Sequence, residues 1–469
     1  MAVNEIIIPP NPANVPKELL EKYNTRGPRY TSYPTAPKFE ADADPAEIYN
    51  QWVISNCQVG PGALSFYVHI PFCSKRCWFC GCFTSIPKDD SITDRYLDSL
   101  KKEFQLVSSM VDPERPIKQL SLGGGTPTYL TPDRFDRMMK DMKSFWHFHD
   151  EAEISVEIDP RTVGKQHLDV LMKHGFNRFS MGVQDFNESV LETIGRPQSL
   201  SDTTELVDML KTAGHDAINF DLIYGLPGQT PESIKHTAEK TVELSPSRIA
   251  LYSYAHVPWM KKQQKLLERH PLPSPEEKLA LFGVAYDVFT KAGYVPVGMD
   301  HFAKPDDELV KALQGRSLHR NFMGYTTRRG LDLIGYGVSA ISSVNRTYTQ
   351  NTKDFENYHS SMSDDRMSME RGYFLSIEDD MRRELITDLF CNFYLDKEEF
   401  GSKWRLNFND KFADENNRLL AMQDDGLLSL SEKAIEVTPL GRAFVRNICM
   451  VFDQYLEQDP AERRYSQTI

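Results

Sequence analysis

Four of the seven cysteines in this 469-residue chain stand close together, at Cys73, Cys77, Cys80 and Cys82. Their spacing of three, two and one intervening residues differs from the separated Cys-x-x-Cys pairs of most zinc sites. Three thiolates on one loop can each bind one iron of a 4Fe-4S cubane, leaving the fourth iron open to an exogenous ligand. The spacing therefore predicts a reactive iron–sulfur site; a zinc knuckle or unpaired core thiols are the alternatives.

Cys82 is the ambiguous member of this group. It could ligate in place of Cys80, stand beside the cluster with a different role, or simply pack. Trp78 and Phe79, between the predicted ligands, would shield a cluster from water and help set its potential. His69 is the nearest imidazole and precedes the loop on a strand, where packing or hydrogen bonding is as compatible with its position as catalysis.

Downstream of the cysteines, polar and glycine residues follow successive β-rich segments. The run Gly123 to Gly125 permits backbone conformations closed to other residues and a close approach of ligand to main-chain groups, although a tight turn would use the same residues. Glu157, Gln184, Arg196 and Asp221 stand at or near later strand ends. Together they form a ring suited to a ligand with ribose hydroxyls, an amino group and a carboxylate.

The elements that must position these residues alternate between β-rich and helical stretches from about residue 64 to 298. The predicted strands are LSFYVHI, IKQLSL, EISVEI, RFSMGV, AINFDLIYG, RIALYSY and YVPVG. This alternation is typical of a parallel sheet or barrel. Such folds place active sites at the carboxyl ends of their strands, where most of the motifs above fall.

The remaining sequence predicts two flanking regions. Residues 1–60 form an N-terminal extension with the polar and aromatic run GPRYTSYPTAP, which we hypothesise to close over substrate as a lid. Residues 61–360 form the catalytic domain. Residues 361–469 form a mainly helical domain with a winged-helix-like order, in which a hairpin LLSLSEKAIEVTP precedes a last helix LGRAFVRNICMVFDQYL.

Composition narrows the function classes. The formal charge is -13, from 54 Lys and Arg against 67 Asp and Glu, which argues against general nucleic-acid binding and requires dedicated arginines for an anionic substrate. A winged-helix regulator is a weak alternative because the last helix carries only Arg442 and Arg446 as positive charges. No basic leader or membrane-length apolar run occurs, so we expect a soluble cytoplasmic protein with no membrane partner and no disulfide framework.

Cys-x-x-x-Cys-x-x-Cys after the first strand, GGGTP after the second and the later polar strand ends together resemble the radical S-adenosylmethionine superfamily. A wider set of segments resembles the oxygen-independent coproporphyrinogen III oxidases, also called coproporphyrinogen dehydrogenases. The segments are GPRYTSYPT, YVHIPFC, GGGTPTYL, EIDPR, NRFSMGVQDF, DLIYGLP, GMDHFA, LHRNFMGYTT, GVSAIS and RNICMVFD. They extend from about residue 23 to 453.

The resemblance implies an α/β fold, with a partial TIM-barrel-like (β/α)6 radical S-adenosylmethionine core, an N-terminal extension and a mainly helical C-terminal domain. Cys73, Cys77 and Cys80 would ligate the 4Fe-4S cluster, and S-adenosylmethionine would chelate its open iron. The 5'-deoxyadenosyl radical would abstract hydrogen from propionate side chains. Loss of carbon dioxide from two of them would convert coproporphyrinogen III to protoporphyrinogen IX.

The resemblance also implies two S-adenosylmethionine molecules. By motif position, the cluster-bound molecule would contact Tyr67, Gly124, Glu157 and Ile341. The second molecule would contact Phe79, Gly125, Thr126, Gln184, Arg196, Asp221 and Ala255. Cys82 would be a catalytic residue beside the cluster rather than a ligand.

For the substrate propionates the candidates are Arg29, His301 and Arg320, because cationic donors suit carboxylates in a site shielded from water. Surface salt bridges or caps are the alternative for each. Phe322 and Met323 fall in the substrate-side loop; the family commonly has Gln where this chain has Met323, which weakens a hydrogen-bond role there. A flavodoxin-like or other reductant and an unidentified electron acceptor complete the implied partners.

Two related activities compete with this interpretation. A haem-binding carrier would share the fold and cluster loop without decarboxylase activity, but such relatives usually lack the cysteine at Cys82. A radical methyltransferase could also use two S-adenosylmethionine molecules, but it would lack the full N-terminal segment. Cys82 and GPRYTSYPT therefore favour the decarboxylase.

Overall fold

The computed structural model describes residues 6–57, 62–456 and 465–468. Its N-terminal part contains α1 (Lys17–Tyr23) and α2 (Pro45–Ser55), with short 3-10 helices at Pro12–Asn14 and Ala36–Lys38. Within the described ranges, no helix combines the length and apolar character that crossing a bilayer requires.

Six parallel strands form the centre of the molecule. They are β1 (Leu64–Ile70), β2 (Ile117–Gly124), β3 (Phe148–Ile158), β4 (Arg178–Gln184), β5 (Ile218–Tyr224) and β6 (Arg248–Ser253). The helices between them are α3 (Asp90–Met110), α4 (Pro132–Lys143), α5 (Lys165–Lys173), α6 (Glu188–Thr193), α7 (Leu200–Thr212) and α8 (Pro231–Leu244). The predicted α/β series of six βα units is confirmed.

Sequence patterns explain these elements. Buried and half-buried residues alternate along the whole of β4, as expected where successive side chains point to opposite faces of a sheet. On α3, Tyr96, Leu100, Phe104 and Val107 are buried at helical spacing, so one face of the helix packs on the sheet. The apolar core around the six strands is continuous with these side chains.

The chain then extends the sheet at both edges. The additional elements are α9 (Pro275–Lys291), β7 (Val295–Val297), β8 (His301–Ala303), α10 (Glu308–Gln314), β9 (His319–Asn321), β10 (Gly324–Thr326), β11 (Asp332–Tyr336), β12 (Ile341–Val344), β13 (Thr347–Asn351), α11 (Phe355–Ser363) and β14 (Met369–Phe374). Strand order in the twelve-stranded sheet is β14-β13-β12-β11-β1-β2-β3-β4-β5-β6-β8-β7. The predicted strand YVPVG forms as β7, but it does not continue the parallel series: it pairs antiparallel with β8, which borders β6.

The C-terminal part contains α12 (Ile377–Asn392), β15 (Tyr394–Asp396), α13 (Lys397–Trp404), α14 (Phe408–Lys411), α15 (Ala413–Asp424), β16 (Leu428–Leu430), β17 (Ala434–Val437) and α16 (Val445–Met450). The predicted hairpin forms as β16 and β17, within a three-stranded sheet. The prediction of one long last helix was wrong, because a 3-10 turn precedes α16 and the helix ends at Met450. Beyond it, the buried Asp453 carboxylate accepts bonds from Tyr30 and Tyr455, which favours the turn over a continued helix.

The N-terminal segment packs into the C-terminal core. Val15, Tyr30 and Tyr33 are buried in the same apolar cluster as α12 and α16, and Arg446 donates to the carbonyls of Gly27 and Pro28. The segment is therefore well anchored, and its closure as a lid stays a prediction.

The predicted domain limits also stay predictions. The one at residues 60/61 lies outside the described residues. The one at residues 360/361 falls within α11, a helix that packs against α3.

Candidate active site

The cysteine loop folds back on the end of β1. The Cys73 amide donates to the Ser85 carbonyl at 3.0 Å, and the Ser85 amide donates to the Pro71 carbonyl at 2.7 Å. Farther along, the Trp78 amide donates to the carbonyl of Ile194, the residue that follows α6. These main-chain bonds fix the loop at the carboxyl ends of the strands.

All four thiols of the loop line one cavity of about 420 Å³. The Cys82 thiol donates to the Cys80 sulfur, and this bond lowers the pKa of Cys80 to about 6 and raises that of Cys82 well above its ordinary value. Burial raises the pKa of Cys73 to about 11. Among the described residues, no three His, Cys, Asp or Glu side chains converge as they would around a single ion; in a cubane each thiolate binds a different iron.

His69 links the glycine run to the cysteine loop. Burial lowers its pKa to about 4, so the ring is neutral at pH 7. Its Nε2 lies 3.0 Å from the Phe83 carbonyl, which can only accept, and its Nδ1 therefore accepts from the Tyr67 hydroxyl, also at 3.0 Å. Of the roles considered for His69, the structure shows hydrogen bonding that positions the loop.

The glycines at the end of β2 are required by close contacts. Gly124 has φ +108°, and a Cβ atom there would collide with the His69 ring. A Cβ atom on Gly125 would lie 2.7 Å from the Phe72 carbonyl oxygen. Side chains at these positions would thus displace the loop, so the glycine run is more than a tight turn.

Two buried acids stand on the strands beside this edge. Glu157 accepts from the Gly124 amide at 3.1 Å, and burial, reinforced by the charge of Asp221, raises its pKa to about 7. Asp221 accepts from the Ser180 hydroxyl at 2.8 Å and from the Asn219 amide at 3.0 Å, while burial raises its pKa. Both carboxyls offer acceptors to a ligand in the cavity.

Arg196 is a buried cation beside the cysteine loop. Its Nη1 lies 3.2 Å from Asp159 and 3.5 Å from the Cys77 sulfur, and Nη2 donates to the Gly182 carbonyl at 2.6 Å. Its Nε is buried and, within the part of the chain that the structure describes, finds no hydrogen-bond partner. A buried donor without a partner is costly and indicates a place for a ligand oxygen.

Gln184 closes β4 in a left-handed conformation, with φ +70°. The next residue, Asp185, is fully buried and accepts from Thr237, from Gln229 Nε2 at 2.7 Å and from the Asn187 amide at 2.8 Å. These bonds tie the β4–α6 loop to α8 and to the loop before it. We infer that Asp185 positions Gln184, a role that sequence reasoning missed.

A second network supports the end of β1 from behind. The fully buried Glu103 accepts from the Gly337 amide at 2.7 Å, from Asn351 at 2.6 Å and from the Tyr358 hydroxyl at 2.8 Å. Burial raises the pKa of Glu103 to about 7. The Tyr96 hydroxyl donates to the His69 carbonyl at 2.7 Å, so α3 buttresses the strand that leads into the cysteine loop.

Most of the residues predicted for the site line the cavity. Those that do are Cys73, Cys77, Phe79, Cys80, Cys82, Gly124, Gly125, Thr126, Glu157, Gln184, Arg196, Asp221 and His301. Tyr67, Ala255, Ile341, Arg29 and Arg320 are not among the lining residues. Tyr67 acts on His69, the Ala255 carbonyl accepts from Gln264, and Ile341 packs against an apolar cluster beside β12.

The three candidates for the propionates are linked to one another around Asp300. His301 Nδ1 lies 2.7 Å from its carboxylate and Arg29 lies 3.7 Å away, while Arg320 donates to the Arg29 carbonyl at 2.5 Å. Although burial opposes ionisation, the bond from His301 and the charges of both arginines hold the pKa of Asp300 below its usual range. Sequence reasoning missed Asp300, despite its place beside His301 in GMDHFA.

Comparisons with known proteins agree with this geometry. A profile described as "Radical SAM superfamily" matches residues 67–241, and one described as "HemN C-terminal domain" matches residues 375–444. A protein of Synechocystis sp. named "Oxygen-independent coproporphyrinogen III oxidase" is 42% identical over 456 residues, covering 96% of this chain and 97% of its own. The protein of that name from Escherichia coli K12 is 42% identical over 451 residues, covering 96% and 98%.

A solved structure gives the same result. It is titled "Coproporphyrinogen III oxidase (HemN) from Escherichia coli is a Radical SAM enzyme", and it matches with a TM-score of 0.89 at 41% identity, covering 94% of this chain and 100% of its own. The chain belongs to the oxygen-independent coproporphyrinogen III oxidase family. The resemblance and the fold predicted from the sequence are thereby confirmed.

The residues present fit the cofactors of a radical S-adenosylmethionine family. Three thiols on one loop suit a cubane with an open iron. Gly123 to Gly125 at the end of β2, here called the glycine edge, leave main-chain groups accessible to a ligand. The unpartnered Arg196 Nε and the buried Glu157 and Asp221 offer a donor and acceptors for a nucleoside-linked amino acid.

Tyr252 is a further cavity residue that sequence reasoning missed. It lines the cavity and its ring contacts His301 edge-on at a centroid distance of 5.9 Å. Its position on β6, one strand beyond Asp221, was the available signal.

Proposed function

We propose that this chain catalyses the oxygen-independent oxidative decarboxylation of two propionate side chains of coproporphyrinogen III to vinyl groups, giving protoporphyrinogen IX. The observation that carries the proposal is a single cavity. It is lined by the cysteine loop, the glycine edge, the acids Glu157 and Asp221, and His301. Family membership supports the same reaction.

In this proposal Cys73, Cys77 and Cys80 hold the 4Fe-4S cluster. With two S-adenosylmethionine molecules bound, the cluster would supply the electron that cleaves S-adenosylmethionine, and the resulting 5'-deoxyadenosyl radical would remove hydrogen from the substrate. Cys82 lines the same cavity as these three cysteines. As the family resemblance implies, we assign it a catalytic role beside the cluster rather than ligation.

The other residues bind and orient. Tyr67, through His69, fixes the loop beside the glycine edge. Arg196 would pair its free Nε with a carboxylate, whereas Glu157 and Asp221 would accept from amino and hydroxyl groups. The assignment of Gly124, Glu157 and Ile341 to one S-adenosylmethionine, and of Phe79, Gly125, Thr126, Gln184 and Ala255 to the second, stays part of the proposal.

Arg29, His301 and Arg320 would receive the substrate's propionates. Arg29 and His301 adjoin Asp300, and Arg320 donates to the Arg29 carbonyl. These contacts support a single site formed by Arg29, His301 and Arg320, here called the basic cluster. Met323 lines the cavity, and its amide donates to Asn321 Oδ1 at 2.9 Å. Its thioether is at most a weak acceptor, so it contributes shape rather than a strong hydrogen bond.

The test is anaerobic turnover of the iron-reconstituted protein with coproporphyrinogen III, S-adenosylmethionine, dithionite and an added electron acceptor. We expect protoporphyrin fluorescence after oxidation of the product, together with 5'-deoxyadenosine. In a Cys82→Ser variant the three ligands remain, so the iron content and cluster absorbance should persist while vinyl product is lost. Deoxyadenosine without vinyl product from the wild type would refute the proposal and favour a methyltransferase or carrier.

The proposal also includes the setting of the enzyme. All seven cysteines are free, which is compatible with a reducing compartment, and we propose a cytoplasmic location. A flavodoxin-like protein or another reductant would supply electrons. The final electron acceptor stays unassigned.

A further inference from the structure

One surface segment lies directly over the cysteine loop. It runs from Val257 through a 3-10 helix at Lys262–Arg269. Lys261 Nζ donates to the Cys82 carbonyl at 2.9 Å, Gln263 Nε2 to the Cys80 carbonyl at 2.7 Å, and Gln264 Nε2 to the Phe79 carbonyl at 2.9 Å. Hereafter this stretch, residues 257–269, is called the cover segment.

The cover segment presents two large apolar side chains to solvent. Trp259 is 67% exposed and Met260 is 71% exposed. Trp259 precedes Lys261 by two residues, so their Cα atoms are at most about 7 Å apart. Tryptophan and methionine are enriched at protein interfaces, and tryptophan is also enriched among their energetic hot spots.

Positive charge surrounds these two side chains. Lys262 and Lys265 are exposed and lie three residues apart on a 3-10 helix, which places them on the same face. The acid of that helix, Glu268, lies 3.2 Å from His256. Lys75 and Arg76 are exposed on the cysteine loop that the cover segment contacts, although the whole chain carries a charge of -13.

We propose that the cover segment is the docking surface for an acidic protein that carries an exposed flavin and reduces the cluster by one electron. This inference rests on the proposed function, which needs an external electron. Lysines would attract the acidic partner, and the Trp259 ring would pack against the apolar edge of the flavin. The hydrogen bonds to Phe79, Cys80 and Cys82 place this contact directly over the cluster loop.

The electron transfer balances without any other reactant. The reduced flavin loses one electron and becomes a semiquinone, while the oxidised cluster gains that electron. No covalent bond forms or breaks. The partner then leaves and is reduced again elsewhere.

The first test is equilibrium binding of an acidic flavodoxin to the reconstituted protein, measured by calorimetry at low and high salt. Reversing two charges in Lys262→Glu/Lys265→Glu should weaken binding at least tenfold at low salt, and the difference should shrink as salt screens the charges. Trp259→Ala/Met260→Ala should weaken binding at both salt concentrations. Neither pair includes Lys261, whose bond holds the cysteine loop.

Matched controls are Lys433→Glu, an exposed lysine of the β16–β17 turn, and Ile377→Ala, an apolar residue that is 67% exposed. Both should bind the flavodoxin as the wild type does. If the cover-segment variants bind no more weakly than these controls, or if the wild type does not bind flavodoxin, the proposed surface is wrong.

The second test compares turnover with dithionite and with reduced flavodoxin. The cover-segment variants should keep their dithionite-driven rate and lose at least tenfold of the flavodoxin-driven rate at limiting donor. An equal loss with both reductants would assign the segment a structural role and overturn the docking proposal. A wild type without dithionite turnover would defeat the proposed function instead, and the binding test would still decide the surface.

Discussion

Gly124→Ala is the sharpest test of how the glycine edge positions the site. Two separate penalties apply at this position. The backbone has φ +108°, and the added Cβ atom collides with the His69 ring. The ring must then move and give up its bonds to the Tyr67 hydroxyl and the Phe83 carbonyl, both 3.0 Å long.

The expected loss of stability in Gly124→Ala is the sum of these two penalties. A left-handed conformation costs a residue with a Cβ atom about 1 to 2 kcal/mol. Each lost hydrogen bond costs about 1 kcal/mol, so two of them add about 2 kcal/mol. The free energy of unfolding should therefore fall by about 3 to 4 kcal/mol. Since His69 holds Phe83, next to Cys82, the variant should also lose S-adenosylmethionine affinity.

Gly293→Ala is the matched control. Gly293 has φ +90°, but an added Cβ atom would meet nothing within 4 Å. The Gly293→Ala substitution should lower the free energy of unfolding only by the cost of the backbone conformation, about 1 to 2 kcal/mol. It should leave cofactor binding intact. Anaerobic urea unfolding of both variants, with calorimetric binding of S-adenosylmethionine, measures the difference. Equal losses of stability, within about 0.5 kcal/mol, would refute the reasoning about His69.

Three further perturbations test the supporting networks. In Asp185→Asn the new amide group faces a hydrogen-bond donor, so the affinity for S-adenosylmethionine should fall at least fivefold while the circular dichroism spectrum stays unchanged. An unchanged affinity would show that Asp185 does not position Gln184. Glu103 has a pKa raised by burial to about 7 from 4.5, so its protonated form is favoured in the fold. Wild-type stability relative to Glu103→Gln should therefore fall by about 2.5 kcal/mol from pH 5 to 8, and a flat difference in urea unfolding would contradict this. Arg446→Met removes the donors to the N-terminal segment, so amide hydrogen exchange at residues 24–34 should accelerate; unchanged protection would mean that other contacts suffice.

The sequence predicts the fold well wherever one pattern determines an element. Each of the seven β-rich runs forms a strand, because alternation and flanking turns are local signals. The cysteine loop and glycine edge were also predictable, because their residue types restrict the chemistry. Strands β11 to β14 were not predicted, although β12 and β13 pair across only two residues; the pairing of β11 with β1, by contrast, joins distant parts of the chain. The last helix was overextended, because the Asp453 contacts that favour a turn involve a distant tyrosine.

The site was less predictable where a residue acts through another residue. Asp185 and Glu103 touch no predicted ligand group, and only their burial and bonds reveal them. From its sequence alone, the cover segment would be interpreted as an ordinary charged surface, because its bonds to the cysteine loop appear only in the structure. Sequence spacing therefore identifies groups that contact cofactors, whereas positioning and docking residues require the tertiary structure.

The basic cluster could not be interpreted from the sequence alone, because the role of Asp300 in it is visible only in the structure. A buried guanidinium without a carboxylate nearby is costly, so an anion of the protein's own stabilises a cationic site while no anionic substrate is bound. Asp300 supplies one negative charge against two arginines, Arg29 and Arg320, with His301 beside it. At least one positive charge is therefore left over for a propionate. The cluster can thus remain folded without substrate and still attract the carboxylates that coproporphyrinogen III would bring.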